Sequence, residues 1–291
     1  MRPVTETRKK ITTDTLTLIE LDDSEADLEL FPRFLIIGPQ RTGTTWLSGH
    51  LGNHPEIYIP PEKELYYFSN LRTPDRPAEV GLQPISPKLS WYLDFFRLSL
   101  RERFRRWRRF GWVKKPLIRG EACASYAAST DSQTIDEILM LRPDLKVVML
   151  VRDPLERAWS HAKKDLSRDI GRPMEDVGEV EFREFVSTDY QLSCSQYVEI
   201  IDRWSRKLRP GNFFVGDFND IARRPRVLFE NIACFLGVQD LKVCVNDDLG
   251  KAVNPTEPQP IPLGSRKILE EVLGRERIDQ YKEVLRTISP A

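Results

Sequence analysis

Residues 34–46 read Phe-Leu-Ile-Ile-Gly-Pro-Gln-Arg-Thr-Gly-Thr-Thr-Trp, and this stretch decides the fold. An apolar strand runs into a turn bracketed by Gly38 and Gly43, and a predicted helix follows the turn. The free backbone N–H groups of such a turn, with the positive end of the helix dipole behind them, form a seat for a phosphate-like anion. The glycines have the spacing of the nucleotide-binding loop G-x-x-x-x-G-K-S/T, but Thr44 replaces its lysine and the basic residue is Arg41. That lysine contacts the terminal phosphates, so its absence argues against an ATP or GTP hydrolase.

The composition is that of an ordinary globular protein. The chain has 291 residues, 40% of them hydrophobic and 30% charged, which is enough to bury a sizeable core. It carries 44 Lys+Arg and 44 Asp+Glu residues, so no net charge draws it to nucleic acid. The four cysteines lack metal-ligand spacing and are predicted to be reduced thiols. Residues 1–30 contain no apolar run typical of a signal peptide, and no apolar run reaches about 18 residues, so the sequence predicts a cytoplasmic protein.

The chain is predicted to form one domain, residues 31–291, preceded by an N-terminal arm, residues 1–30. Buried strands are predicted at 33–38, 145–151 and 212–217, and helices at 44–53, 131–141, 154–166, 194–208 and 225–236. Strands that alternate with helices indicate a parallel sheet with helices on both faces, which is a three-layer, P-loop-like α/β fold. Segments 70–90 and 238–262 are expected to be loops over the carboxyl edge of the sheet, where ligands bind in such folds.

A second anion site is predicted where the strand at 145–151 ends. The strand runs into Arg152-Asp-Pro-Leu-Glu-Arg-Ala-Trp-Ser160-His, in which the proline marks the start of a helix. Arg152 at the strand end and Ser160 two turns into the helix are placed to reach one anion beside the first loop. The alternative is a salt bridge from Arg152 to Asp153 or Glu156, with an ordinary helix serine.

Together, the two motifs resemble those of the sulfotransferases that use 3′-phosphoadenosine 5′-phosphosulfate. The first is similar to their loop for the 5′-phosphosulfate, and the second to their 3′-phosphate site. The resemblance extends from about residue 33 to 238 and is closest in style to the bacterial and heparan-sulfate-type enzymes. Further family-like stretches are Pro61-Glu-Lys-Glu-Leu-Tyr-Tyr-Phe68, Gly120-Glu-Ala-Cys-Ala-Ser-Tyr126, and Tyr197 to Trp204 leading to Asn212–Pro225.

The resemblance implies that 3′-phosphoadenosine 5′-phosphosulfate is the donor, that adenosine 3′,5′-bisphosphate is its product, and that no metal takes part. Two separate anion seats fit a nucleotide that is phosphorylated at both ends of its ribose, which ATP is not. Trp46 is expected to stack on the adenine, with a core tryptophan as the alternative. The implied donor-binding residues are Gln40, Arg41, Thr42, Gly43, Thr44, Thr45, Trp46, Arg152 and Ser160.

Sulfuryl transfer needs a base for the acceptor hydroxyl and positive charge for the departing phosphate, and a general base contributes roughly 10²–10⁴-fold. Arg41 is the predicted charge stabiliser. Many relatives have a lysine there, which also donates a proton to the bridging oxygen; because arginine is poor at that task, Lys63 is a candidate substitute. Glu64 takes the position of the catalytic glutamate of the heparan sulfate enzymes and is the predicted general base. The alternative for Glu64 is a solvated surface charge.

The candidates on the acceptor side are Lys63, Glu121 and His161. Glu121 is expected to contact the substrate or to orient the site, although the lysine that often follows it in the heparan-sulfate group is Ala122 here. Cytosolic sulfotransferases of phenols and steroids use a histidine as the base. His50 and His54 lie at the far end of the loop helix and are expected to be structural, whereas His161 is expected to act from behind Ser160.

Residues 91–110 combine aromatic side chains with arginines. On a single helix, one apolar stripe would contain Phe96, Leu100, Phe104, Trp107 and Phe110. Residues 101–115 hold eight basic side chains and one acidic side chain. Three interpretations stay open: a lid helix packed on the domain, an interfacial helix on anionic lipid, and a site for a polyanionic acceptor.

The leading prediction is an enzyme that transfers a sulfuryl group to a hydroxyl of a carbohydrate, lipid or small-molecule acceptor. One alternative is a P-loop nucleotide kinase or hydrolase, which would need magnesium and bind ATP. Another is an inactive sulfotransferase-like module that binds its partner through the basic helix. No motif in the sequence identifies the acceptor.

Overall fold

The computed structural model describes residues 16–21, 27–72, 79–80, 83–111, 117–239, 249 and 260–288. Its strands are β1 (Phe34–Gly38), β2 (Ile57–Tyr58), β3 (Glu79–Val80), β4 (Gln83–Pro84), β5 (Ile118–Ala122), β6 (Lys146–Val151) and β7 (Phe213–Asp217). Five strands form a parallel sheet in the order β2-β5-β1-β6-β7. Strands β3 and β4 pair with each other as a small antiparallel hairpin.

The helices cover both faces of this sheet. They are α1 (Thr44–Gly52), α2 (Tyr67–Asn70), α3 (Leu89–Asp94), α4 (Leu100–Phe110), α5 (Tyr126–Ser129), α6 (Ser132–Leu141), α7 (Pro154–Ala162), α8 (Glu179–Val186), α9 (Asp189–Ser193), α10 (Tyr197–Ser205), α11 (Asp220–Arg223), α12 (Pro225–Leu236) and α13 (Leu263–Ile288). A π-helical turn, Lys163–Arg168, extends α7, and a short 3₁₀ helix spans Met174–Asp176.

Alternating side chains of the central strand β1 face opposite sides of the sheet. Leu35 and Ile37 pack with α6 and α10, whereas Phe34 and Ile36 pack with α1 and α12. All four side chains are buried, because the strand has helices on both sides. The predicted three-layer α/β fold is confirmed.

Most predicted elements are present with small changes in their bounds. Strands β1, β6 and β7 match the three predicted strands, and α12 has the predicted bounds. Asp131 caps α6 as expected, and its carboxylate accepts from the N–H of Thr134 at 2.8 Å. Strands β2 and β5 and helix α13 were not predicted. The expected loop at 70–90 contains the hairpin and the start of α3, and the loop at 238–262 lies largely outside the described residues.

The prediction of one continuous helix over 91–110 is wrong. Helix α3 ends at Asp94, and α4 begins only at Leu100, because the Ser99 hydroxyl caps it by accepting from the N–H of Glu102 at 3.1 Å. The break divides the expected apolar stripe. Phe96 is buried in the core, whereas the apolar side chains near the start and middle of α4 point to solvent.

The described parts of the N-terminal arm, residues 16–21 and 27–30, contribute side chains to the core rather than projecting into solvent. Leu16 and Ile19 are buried. The carboxylate of Glu137 on α6 accepts from the backbone N–H groups of Leu18 at 3.1 Å and Ile19 at 3.0 Å. The division into an arm and a single domain stays a prediction.

Candidate active site

The loop between β1 and α1 is bent tightly against the end of β5. Gly38 has φ 97° and Gly43 has φ 86°, both in the left-handed region that favours glycine. A Cβ on Gly38 would lie 2.3 Å from the carbonyl oxygen of Ala124. The loop therefore delivers the first turn of α1, whose backbone N–H groups have no partner within the helix, to the carboxyl edge of the sheet.

The side chains of this loop take different roles. Thr42 is buried and its hydroxyl donates to the carbonyl of Pro39 at 2.7 Å, which closes the loop on itself. The backbone N–H of Gln40 is hydrogen-bonded to the Cys194 sulfur. Thr44 is buried at the start of α1, and Thr45 is partly exposed beside it. The loop is thus held both by its own contacts and by Cys194.

Arg41 joins the two predicted anion sites. Its Nε donates to the Ser160 hydroxyl on α7 at 3.0 Å. Arg152, at the end of β6, donates from Nη1 to the carbonyl oxygen of Arg41 at 3.2 Å. The alternative partner of Arg152 is also present, with Nη2 3.8 Å from a carboxylate oxygen of Glu156. Two predicted donor-binding residues of the second motif, Arg152 and Ser160, therefore both contact Arg41 of the first.

Positive charge is concentrated at this junction. Burial, with the neighbouring charges of Arg168 and Arg152, lowers the pKa of the Arg41 guanidinium. Burial also lowers the pKa of Arg152, whose guanidinium lies 4.5 Å from the ring centre of Phe218. The Tyr197 hydroxyl donates to the Arg152 carbonyl at 2.7 Å and holds that residue in place. The fold holds these positive charges close together although they repel each other. A bound anion would relieve that repulsion, so the junction favours anion binding.

Lys63 and Glu64 lie next to the start of α1. Lys63 Nζ donates to the Thr45 hydroxyl at 2.5 Å and is 3.5 Å from Glu64 Oε1. The Tyr66 hydroxyl donates to Glu64 Oε2 at 2.8 Å. The side chain of Glu64 is 19% exposed, so the surface-charge alternative does not fit the structure. The carboxylate is held between a lysine and a phenol within reach of the anion seat.

Tyr66 remains a proton donor in this arrangement. Burial and the charge of Glu64 raise the pKa of Tyr66 well above its usual range. A neutral phenol beside a carboxylate donates a charge-assisted hydrogen bond, which orients the acceptor oxygen. The backbone N–H of Glu64 donates to the carbonyl of Ala122 at 3.3 Å, so the loop is also tied to β5.

Glu121 is enclosed and does not face the open side of the site. Its carboxylate accepts from the hydroxyls of Tyr92 at 2.5 Å and Tyr126 at 2.7 Å, and from the backbone N–H of Leu65. Burial raises the pKa of Glu121 to about 7. Because Leu65 follows Glu64, the geometry fits the orienting role predicted for Glu121 and not a direct contact with the substrate.

Trp46 and His161 do not open into the site. The Trp46 ring is buried in the core beneath α1, and its Nε1 donates to the carbonyl of Leu249 at 3.1 Å, as the core alternative predicts. His161 is buried with Nδ1 3.0 Å from Gln191 Nε2 and Nε2 3.3 Å from Asp165 Oδ2, and burial lowers its pKa. It therefore supports α7 from behind and lies away from the acceptor side.

Two functional contacts were missed at the level of the sequence. Tyr66 lies inside the recognised motif at residues 61–68. Its hydrogen bond to Glu64, however, depends on a left-handed backbone conformation at both residues. Arg157 is fully buried and donates to the carbonyl of Gln191 at 3.1 Å and to the Ser195 hydroxyl at 3.2 Å, so it fixes α7 against α9. No sequence signal distinguishes this buried arginine from a solvated one.

Comparison with known proteins agrees with the resemblance. A model of the sulfotransferase family matches residues 32–241. The bifunctional heparan sulfate N-deacetylase/N-sulfotransferase 3 of Mus musculus is 25% identical over 229 residues, which is 74% of this chain and 23% of that protein. Carbohydrate sulfotransferase 15 of Mus musculus is 31% identical over 153 residues, 46% of this chain and 27% of that protein. The chain thus spans about a quarter of the length of these relatives.

A solved structure supports the fold. The sulfotransferase from Alicyclobacillus acidocaldarius superposes with a TM-score of 0.62 at 24% identity, over 89% of this chain and 97% of that one. The family model confirms the predicted resemblance to the sulfotransferases, and the match to the solved structure confirms the P-loop-like α/β fold.

The predicted cytoplasmic location is corrected by the relatives. One of them is the membrane-associated sulfotransferase kil1 of Dictyostelium discoideum, 25% identical over 136 residues, 47% of this chain and 23% of that protein. A cytoplasmic location is therefore not supported. None of the described helices combines the length and the hydropathy needed to cross a membrane. By the match of its residues 32–241 and by its fold, the chain belongs to the sulfotransferase family.

Proposed function

We propose that the chain transfers a sulfuryl group from 3′-phosphoadenosine 5′-phosphosulfate to a hydroxyl of a carbohydrate, lipid or small-molecule acceptor. The observation that carries this proposal is the junction at Arg41, which contacts both Ser160 and Arg152 at the start of α1. A nucleotide with phosphate groups at both ends of its ribose needs two adjoining cationic sites, and the two motifs supply them side by side. Membership of the family supports sulfuryl transfer as the reaction.

The site residues divide the chemistry between them. The acceptor oxygen forms a bond to sulfur while the bond from sulfur to the bridging phosphate oxygen breaks, and the proton of the acceptor hydroxyl passes to Glu64. The electron pair of the broken bond stays on the departing adenosine 3′,5′-bisphosphate. Backbone N–H groups of α1, with Arg41 and Lys63, stabilise this charge. Lys63 also carries protons that it can donate to the bridging oxygen, a task for which arginine is unsuited.

The first acceptor class to test is a glycan. The names of two relatives specify heparan sulfate N-sulfotransfer and carbohydrate sulfotransfer. A carboxylate base at Glu64 serves a hydroxyl or an amino group equally, because in both cases it removes one proton as the bond to sulfur forms. A panel of desulfated glycosaminoglycans, glycolipids and small phenols, assayed with labelled donor, covers the proposed acceptor classes.

Calorimetry tests the donor and needs no knowledge of the acceptor. Adenosine 3′,5′-bisphosphate should bind in the presence of EDTA, whereas Mg-ATP should bind weakly or not at all. Arg152→Ala should weaken bisphosphate binding by about 10- to 100-fold, since hydrogen bonds to charged groups contribute about 1.5–3 kcal/mol. Arg266→Ala, which removes an exposed arginine on α13, is the matched control. Tight binding of Mg-ATP without bisphosphate binding would instead support a nucleotide kinase or hydrolase.

Glu64→Gln tests the base. The variant should keep its affinity for the bisphosphate and lose at least about 100-fold in turnover, because the amide cannot accept the proton. Glu62→Gln, an exposed neighbour on the same loop, should keep full turnover. Unchanged turnover in Glu64→Gln would show that another group is the base. A wild-type protein that binds the bisphosphate but turns over no acceptor class would be an inactive binding module.

A further inference from the structure

The outer face of α4 exposes apolar side chains to solvent in a continuous row. Leu100 is 82% exposed, Phe104 is 57% exposed and Trp107 is 45% exposed. With about 3.6 residues per turn, steps of four and three residues place these side chains on one side of the helix. The rings of Phe104 and Trp107 contact each other, with their centres 5.7 Å apart. No side chain of α4 is buried, so this helix adds little to the core.

The opposite face of α4 attaches it to the rest of the molecule. Arg106 Nη2 donates to the carbonyl of Pro55 at 2.8 Å, and its guanidinium lies 6.0 Å from the ring centre of Tyr58. Arg109 Nη1 donates to Asn53 Oδ1 at 3.0 Å. Docking through polar contacts on this face leaves the apolar row pointing outward. An amphipathic helix that packs on a core shows the reverse arrangement, with its apolar side inward.

The apolar row lies between exposed arginines. Helix α4 contains six arginines and one glutamate, a formal charge of +5. The glutamate, Glu102, forms an ion pair with Arg105 at 2.8 Å. Arg101 and Arg108 lie on one side of the row and Arg103 on the other, and all three are exposed.

We propose that α4 binds the surface of an anionic phospholipid bilayer, with the apolar row at the boundary of headgroups and acyl chains and the arginines at the phosphates. An interfacial helix needs this combination of exposed apolar side chains and flanking basic residues. A soluble polyanion would satisfy the arginines but would leave Leu100, Phe104 and Trp107 in water, so it accounts for only half of the surface. The proposal does not depend on the identity of the donor or the acceptor.

Co-sedimentation with vesicles tests the electrostatic half. The wild-type protein should bind vesicles of phosphatidylcholine mixed with phosphatidylglycerol, bind phosphatidylcholine alone weakly, and dissociate at high salt. Arg101→Glu/Arg108→Glu should lower the partition coefficient at least about 25-fold, since each arginine near an anionic surface contributes about fivefold. The matched control is Lys267→Glu/Arg275→Glu, which reverses two exposed charges on α13 and should bind like the wild type.

Serine substitutions test the apolar half and separate a bilayer from a polyanion. Leu100→Ser/Phe104→Ser/Trp107→Ser should also lose vesicle binding, whereas Leu263→Ser, at the exposed first position of α13, should not. Unchanged thermal unfolding of each variant confirms that it is folded. The proposal is overturned if wild-type protein fails to bind anionic vesicles, or if the triple serine variant binds them as the wild type does. Salt-sensitive binding to heparin in place of vesicles would overturn it in favour of a polyanion site.

Discussion

At the scale of single residues, the site is marked by left-handed backbone where glycine is absent. Among the described residues, the non-glycine positions with positive φ are Arg41 at 71°, Glu64 at 64° and Tyr66 at 53°. Such conformations cost about 1–3 kcal/mol each and persist only where the surroundings hold them. Here they turn Arg41 toward Ser160, and they bring the Tyr66 phenol onto the Glu64 carboxylate. The unfavourable backbone conformations thus occur at the residues whose side chains are proposed to take part in the reaction or to orient it.

Tyr66→Phe should slow turnover without affecting the donor. The variant keeps the ring and loses the hydroxyl that donates to Glu64 at 2.8 Å, so kcat should fall roughly 10- to 100-fold while the Kd for adenosine 3′,5′-bisphosphate stays constant. Tyr67→Phe is the matched control, because its hydroxyl donates to the carbonyl of Pro87 at 2.8 Å, away from Glu64. Equal losses of kcat in both variants would show that Tyr66 only stabilises the loop.

The sequence indicates which residue types belong to the candidate site better than it indicates their contacts. Arg41 and Arg152 each belong to a contiguous sequence motif. Such a motif can be recognised without a structure, and the basic residue is recognised with it. The contact between Lys63 and Thr45 joins residues 18 positions apart, and it depends on a backbone turn that no residue type signals. Trp46 shows the converse limit. An aromatic residue after the loop suits adenine stacking and core packing equally, and the structure places it in the core.

At the scale of elements, the loop from β1 to α1 is the part least tolerant of change. A Cβ on Gly38 would lie 2.3 Å from a backbone oxygen, and its φ of 97° is unfavourable for any other residue. Gly38→Ala should therefore lower the free energy of unfolding by more than about 2 kcal/mol. Gly49→Ala in α1 is the matched control: its Cβ would meet nothing within 4 Å, so the free energy of unfolding should rise by up to about 1 kcal/mol. Chemical denaturation measures both, and a tolerated Gly38→Ala would contradict the tight-loop geometry.

Strand β5 was not predicted, because it is stabilised by contacts with distant parts of the chain rather than by its own sequence pattern. Strand β5 reads Ile-Arg-Gly-Glu-Ala, and this polar sequence gives no buried-strand pattern. It is stable inside the sheet because Arg119 donates to the carbonyl of Phe96 at 3.2 Å and Glu121 accepts from two tyrosines. Strands β1, β6 and β7 were predictable, since each carries its own apolar run.

At the scale of the whole molecule, the order of the strands builds the site. The central strand β1 lies between β5 and β6. Because the strands run parallel, the carboxyl ends of β1 and β6 bring together the Gly38–Gly43 loop and the start of the Arg152 motif. The loop bearing Glu64 follows β2, the outer neighbour of β5, and is tied to the end of β5 by the hydrogen bond from the N–H of Glu64 to the carbonyl of Ala122. Each of these loops can be recognised in the sequence. Which strands lie next to β1, however, is set by crossovers that join distant parts of the chain. The predicted proximity of the Arg152 motif to the Gly38–Gly43 loop agrees with the contact between Arg152 and Arg41, whereas the position of Glu121 behind Glu64 followed only from the fold.

The free energy of unfolding should depend on pH through the buried carboxyl group of Glu121. Its pKa is raised from 4.5 to about 7, chiefly by burial. Well below pH 4.5 the group is protonated in both states. As the pH rises toward 7 the unfolded chain releases a proton that the folded chain retains, so stability falls by about 3 kcal/mol and then levels off. Urea denaturation at pH 5 and pH 8 should show this loss in the wild type and a smaller one in Glu121→Gln, whose amide does not titrate. An identical pH dependence in the two proteins would mean that the Glu121 carboxyl ionises in the fold as it does in water.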